Sequence, residues 1–161
     1  MSEVDAEDIG RTVGIDLGSK RVGIAVSDGR GVLASPLIVL DRSGDWALDH
    51  QRIAALADEE EARRIVVGLP VDLRGIKALA ANAVLEEIEA MRFTIHLPIE
   101  TWDERMTSVA AHKAMRAQNI SERKRRGQID KWAAAVMLQG WLDSRTSPIK
   151  VTRDTARSNQ R

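Results

Sequence analysis

The chain has no cysteine and no tyrosine, and its 161 residues include one phenylalanine and four prolines. Without cysteine there is no disulfide framework, no thiol redox chemistry and no cysteine-based zinc site. No run approaches the roughly 18 consecutive apolar residues of a membrane span. The opening MSEVDAED is polar and acidic, with no apolar signal segment. A cytoplasmic protein with no membrane partner is therefore the expected class. Aromatic residues make up 3% of the composition, so the chain has little ring surface for stacking. Neither a G-x-x-x-x-G-K-[ST] loop nor a G-x-G-x-x-G fingerprint occurs. His50, His96 and His112 show no H-E-x-x-H spacing, and Ser27 and Ser35 lie in no G-x-S-x-G elbow.

What is present is one domain's worth of chain, 17.8 kDa, long enough to bury a core without a staple. Net charge is formally zero, but it is divided. Residues 1–104 hold 11 Lys+Arg against 20 Asp+Glu, and residues 105–161 hold 13 against 4. The basic part could meet a polyanion, although a soluble protein with one charged tail explains the division as simply.

Hydrophobic period gives the organisation. Thr12 to Leu17 and Val22 to Asp28 are β-type runs joined by Gly18-Ser19-Lys20-Arg21, a hairpin pattern. Val32 to Leu40 is a third strand, which Pro36 places at an edge or a bulge. Asp45 to Ala62 switches to helical spacing. Ile65 to Leu69 is a short continuous apolar run, the mark of a strand buried on both faces. A helix over Ala78 to Met91, a strand over Phe93 to Ile99 and a helix over Thr107 to Ala117 follow. Asn119 to Gly127 reads as a basic loop, and Ile129 to Asp143 as the last helix. Residues 1–11 and 145–161 read as flexible tails, acidic and basic, around a domain spanning 12–144. A meander followed by strand–helix alternation predicts an α/β fold with a mixed five-stranded sheet flanked by helices.

Four acids fall at element ends. Asp16 closes the first strand, where a buried carboxylate costs several kcal/mol unless it is paired or bound to a cation. Asp103 and Glu104 follow the last strand, where they could equally complement a helix macrodipole. Asp130 heads the stripe formed by Ala134, Met137 and Trp141, within about 40° of each on a helical wheel. Singly, each acid has an ordinary structural account, such as helix capping for Asp130. Together, Asp16, Glu104 (or Asp103) and Asp130 would repel one another in a cleft unless divalent cations were bound. Mg²⁺ suits such oxygen ligands, and two such ions activate a water and stabilise a phosphodiester's leaving oxygen.

Gly14 to Asp28, reading GIDLGSKRVGIAVSD, resembles the first motif of the YqgF/RuvX family. These are RNase H-like proteins regarded as pre-16S rRNA nucleases and as Holliday junction resolvase-like. Val67-Gly68-Leu69-Pro70 with Gly75 resembles the second motif, and Asp103 to Ser108 the third. Ile129-Asp130, Ala133-Ala134 and Leu138 to Asp143 resemble the fourth. The likeness runs from about Val13 to Asp143 with the motifs in order. Departures are mild at Ser19, Met106 and Ser108. Trp132 is less usual, and either stacks a base, meets a second subunit or lies against a neighbouring helix.

The resemblance implies an RNase H-like sheet whose first three strands are antiparallel. It also implies a metal site, for Mg²⁺ or Mn²⁺, at Asp16, Glu104 and Asp130, with Asp103 the rival of Glu104. Lys20, Arg21, Arg105 and Thr107 become candidates for the phosphate backbone. The run Arg123-Lys124-Arg125-Arg126, just before Asp130, joins them as a source of affinity without sequence readout. The function expected is a metal-dependent nuclease maturing the 5′ end of precursor 16S rRNA, with a ribosomal particle as a possible setting. The alternatives are a resolvase of four-way DNA, which would favour a homodimer over a monomer, and a non-catalytic RNA-binding protein.

Overall fold

In a computed structural model, residues 9–70, 76–104 and 122–146 are described, without the side chains of 76–78, 122–130 and 146. The expected hairpin forms β1 (Thr12–Leu17) and β2 (Arg21–Ser27), paired antiparallel with Ile15 opposite Ile24 and Asp16 opposite Gly23. β3 (Ala34–Asp41) adds antiparallel to β2 at the sheet edge. Its register shifts by one residue at Ala25, opposite Pro36, so the proline sits on an edge strand and at an irregularity together.

α1 (Trp46–Glu59) is capped by Asp45, whose side chain accepts from the Ala47 N–H at 2.9 Å. It ends where Glu61 takes a positive φ of 53°. β4 (Arg64–Leu69) then returns parallel to β1, followed by α2 (Ile76–Met91) and β5 (Ile99–Asp103), parallel to β4. The order is β3-β2-β1-β4-β5, the mixed five-stranded sheet that the pattern predicts. α3 (Glu122–Thr146) completes the described elements.

Two elements depart most from expectation. The last strand begins at Ile99, not at Phe93. The apolar run FTIHLPI is spent on turning out of α2: Thr94 and Ile95 donate back to the Met91 carbonyl, and Ile95 is buried while Phe93 is exposed. Pro98 contributes only its carbonyl, which accepts the first ladder bond from Ile65. At the other end, α3 starts at Glu122, within the segment expected to be a loop, because Glu, Lys and Arg are good helix formers. It also continues through Ser144 and Arg145. The expected helix over 107–117 lies outside the described residues.

Strand alternation divides the core into two layers. Val13, Ile15, Val22, Ile24, Ile65, Val67 and Ile99 pack with Ile53 and Ala57 of α1 and with Val84, Ile88 and Met91 of α2. On the other face Ala25 and Val66 meet Ala134, Met137, Leu138 and Trp141 of α3. β4 is thus buried on both sides, as its continuous apolar run predicts. Gly14 permits the close approach of α3, since a Cβ there would lie 2.8 Å from the Leu138 Cβ.

Candidate active site

Three contacts fix the direction of α3 across the sheet. Met137 lies over Gly68 near the C-terminal end of β4, and Leu138 lies over Gly14. Trp141 Nε1 donates to Glu100 Oε2 at 3.1 Å, and Glu100 pairs with Val66, two residues earlier in β4. The helix therefore runs antiparallel to β1 and β4. Asp130 stands seven residues before Met137, about 10 Å back along the axis at 1.5 Å per residue. That places its backbone toward the C-terminal ends of the parallel strands, where ligands gather in sheets of this kind.

Asp16 shares the strand face of Gly14, two residues earlier, and so faces the α3 layer near the end of β1. By extension of the Ile15–Val67 pairing it is level with Gly68. Glu104 follows directly on β5, and its Oε1 lies 3.0 Å from where a Cβ of Gly68 would be. Both acids are half-buried. They flank β4 on one face: Asp16 is level with Gly68, and Glu104, two residues past the Gly68 partner Trp102, reaches its carboxylate back over that side-chain-free residue. Asp103 belongs to the opposite face: it pairs with Leu69, which packs against the α1/α2 core, whereas Trp102 pairs with Gly68 and packs toward α3.

This donor set is made of carboxylate oxygens, and Gly23, the cross-strand partner of Asp16, carries no side chain either. Hard divalent cations fit such a set. Among the described residues no group of three acidic, histidine or cysteine side chains is arranged to hold a metal ion. The side chain of Asp130 lies outside those residues.

Lys20 and Arg21 are exposed in and beside the turn that follows Asp16. Arg105 and Thr107 lie outside the described residues, as do the side chains of Arg123, Lys124, Arg125 and Arg126. Trp132 is half-buried, and its buried Nε1 has no hydrogen-bond partner among the described residues.

Sequence reasoning missed a buried charged cluster behind this turn. Both Nη atoms of Arg42 bond the carboxylate of Glu87, Nη2 at 2.9 Å to Oε2. His50 Nε2 is 3.0 Å from Glu87 Oε1, and Asp49 Oδ2 lies 3.8 Å from Arg42 Nη1. Glu87 raises the pKa of Arg42 further above its ordinary value by hydrogen bonding. Nothing in the spacing of residues 42, 49, 50 and 87 announces a contact between three different elements.

Comparison with known proteins adds the family. The family model for RuvX, described as Holliday junction resolvase, matches residues 10–144. A protein of Rhodococcus opacus (strain B4) with the name "Putative pre-16S rRNA nuclease" is 41% identical over 150 residues, 91% of this chain and 84% of its own. One of the same name from Desulforamulus reducens is 42% identical over 134 residues, 83% of this chain and 97% of its own. Among solved structures, T. thermophilus RuvC in complex with Holliday junction substrate superposes with a TM-score of 0.55 at 15% identity, covering 84% of this chain and 95% of that one. That likeness shows the RNase H-like fold. On sequence and fold together, the chain belongs to the RuvX family and, with it, to the nucleases.

Proposed function

We propose that the protein is a metal-dependent nuclease that matures precursor 16S rRNA, with Asp16, Glu104 and Asp130 holding Mg²⁺ or Mn²⁺. The observation that carries this reading is the placement of Asp16 and Glu104 on one face, on either side of side-chain-free Gly68, with the Glu104 carboxylate reaching back over that glycine. The antiparallel course of α3 supports Asp130 as the third ligand, and the face occupied by Asp103 argues for Glu104 in the pair. A bound divalent ion supplies an activated water and charge stabilisation for the leaving oxygen. The three carboxylates hold the ion and orient the scissile phosphate against it. Lys20 and Arg21, beside Asp16, bind the adjoining phosphates. Arg105, Thr107 and the run Arg123 to Arg126 extend that contact along the backbone, without reading sequence.

RNA is preferred to DNA because the relatives above 40% identity are named for pre-16S rRNA, whereas the junction-bound structure is 15% identical. A cytoplasmic setting, beside a ribosomal particle, goes with that substrate. No helix among the described residues is long and apolar enough to cross a membrane. A second reading, resolution of four-way DNA by a homodimer, is favoured by the description of the family model.

One experiment tests both. A precursor 16S rRNA fragment and a four-way DNA junction are incubated with the protein in Mg²⁺, Mn²⁺ or EDTA, with Asp16→Asn in parallel. Metal-dependent cutting of the RNA that the variant loses is the expected result. Cutting of the junction alone selects the second reading. RNA binding that persists in EDTA without any cutting overturns both in favour of a binding protein.

A further inference from the structure

The β1–β2 turn that follows Asp16 is held from behind by one side chain. Arg42 comes immediately after β3, and its Nε donates to the Gly18 carbonyl at 3.0 Å. Its backbone N–H donates to the Lys20 carbonyl at 2.9 Å. Inside the turn, the Gly18 N–H donates to the Asp16 carbonyl at 3.2 Å, so the chain from the acid to both anchored carbonyls is continuous. Packing on the core holds the start of this turn at Leu17, but Leu17, Gly18 and Ser19 also border a cavity of about 430 Å³ on this side, with Trp46 and Ala83 across it.

The anchor is itself immobilised. Glu87 of α2 takes both Nη atoms in a fork, and its side chain is 5% exposed against 14% for Arg42. His50 of α1, also buried, backs the same Glu87 oxygen. A planar guanidinium can satisfy a carboxylate with two donors and still aim Nε at a carbonyl, which an ammonium cannot do at one position. Burying this pair costs desolvation that an apolar pair would avoid, so its geometry calls for a use.

We propose that Arg42, locked by Glu87, is a positioning residue that fixes the β1–β2 turn and thereby sets the Asp16 carboxylate and the adjoining Lys20 and Arg21 for metal and phosphate. This rests on the nuclease reading above. Outer groups that orient a metal's ligands commonly govern affinity by 10- to 100-fold, and that size of effect is expected here.

The test uses the full chain and four variants. Arg42→Lys keeps the charge but not the fork. Arg42→Met/Glu87→Leu removes both charges together, so that neither is left buried alone. Ile53→Val, in the core of α1, is a control for stability loss, and Asp16→Asn a control for the metal site. Mn²⁺ affinity is measured by calorimetry, folding and Tm by circular dichroism, and kcat and KM on the precursor rRNA fragment.

Both Arg42 variants are expected to bind Mn²⁺ about 10-fold or more weakly and to lose more in kcat than in KM. Ile53→Val should lower Tm and leave Mn²⁺ affinity alone. Either Arg42 variant, folded and with wild-type Mn²⁺ affinity and kcat, overturns the proposal. An equal loss of affinity in Ile53→Val does so as well, because it reduces the effect to general stability. Unchanged Mn²⁺ binding in Asp16→Asn would instead strike down the metal reading itself.

Discussion

Glu104 rests its carboxylate on the backbone of Gly68: a Cβ on that glycine would lie 3.0 Å from Glu104 Oε1, 3.4 Å from its Cγ and 3.2 Å from Met137 Cγ. The acid is thus seated by a strand and a helix rather than left on a loop end. The missing side chain in β4 is what makes the seat, and a carboxylate so placed has a defined distance to Asp16 across one strand.

Gly68→Ala tests that seat. A methyl must displace either the acid or Met137, and small additions to a filled space cost about 1–3 kcal/mol. The methyl requires a displacement of a few tenths of an ångström, so cleavage should fall by a few-fold to about 10-fold, less than the roughly 100-fold of a full 1 Å misplacement. Metal-dependent cleavage and thermal melts on the same preparation compare the two. A wild-type rate in this variant would show that the methyl is accommodated without disturbing Glu104, and that the bare Gly68 is not needed to seat it.

Gly14→Ala should act on the fold and not on the chemistry. Its Cβ would approach Leu138 Cβ at 2.8 Å, and Leu138 is fully buried on a helix that cannot easily retreat. A loss of roughly 1–3 kcal/mol is expected in urea denaturation. Leu138→Ala alone should cost roughly 2–5 kcal/mol. The double variant should cost somewhat less than the two added together, since truncation removes Leu138 Cδ2 and Cγ, 3.2 and 3.3 Å from the added methyl, and lets a small shift of the helix relieve the Cβ contact that stays. Strict additivity would mean that the two residues do not meet.

The sequence announces most of this sheet and part of its site, for identifiable reasons. β1, β2 and β4 are read correctly because alternation and a continuous apolar run each leave a distinct trace. β5 is misplaced because Ile99–Asp103 carries Glu100, Thr101 and Asp103, hence no apolar run, while the more apolar segment before it turns out of α2. Asp16 and Glu104 can be named from motif and position, yet only register separates Glu104 from Asp103. The Arg42–Glu87 pair spans 45 residues and leaves no periodic signal. Such contacts between distant elements become visible only once the chain is folded.

Trp141 and Arg145 offer a contrast in the worth of two partners of Glu100. The indole is buried, its Nε1 bonded to Oε2, whereas Arg145 meets the same carboxylate at 2.9 Å with both side chains more than a third exposed. Trp141→Ala should cost about 3–5 kcal/mol through the emptied space alone. Arg145→Ala should cost at most about 1 kcal/mol, since water screens the pair, with a little more from its position 4.7 Å from the Trp141 ring. Urea denaturation of the two variants measures the ratio, and a larger loss for Arg145 would refute this assignment of the contacts.

Asp49 sets an acid limit on stability. Burial alone would raise its carboxyl, but the Ser43 N–H, donating to Oδ1 at 3.0 Å, and the nearby charges of Arg42 and Arg52 outweigh it and hold the group below its ordinary value. The unfolded chain, with an aspartate near pH 4, therefore takes up the proton first as the solution is acidified. The stabilisation is complete above that ordinary value and is lost as pH falls from it through the lower folded value. Asp49→Asn lacks the titrating group, so the Tm gap between wild type and variant should be widest near neutral pH and should narrow below about pH 4. Melts from acid to neutral pH follow that gap directly. A gap of constant width would show that the charge of Asp49 contributes nothing to the cluster around Arg42.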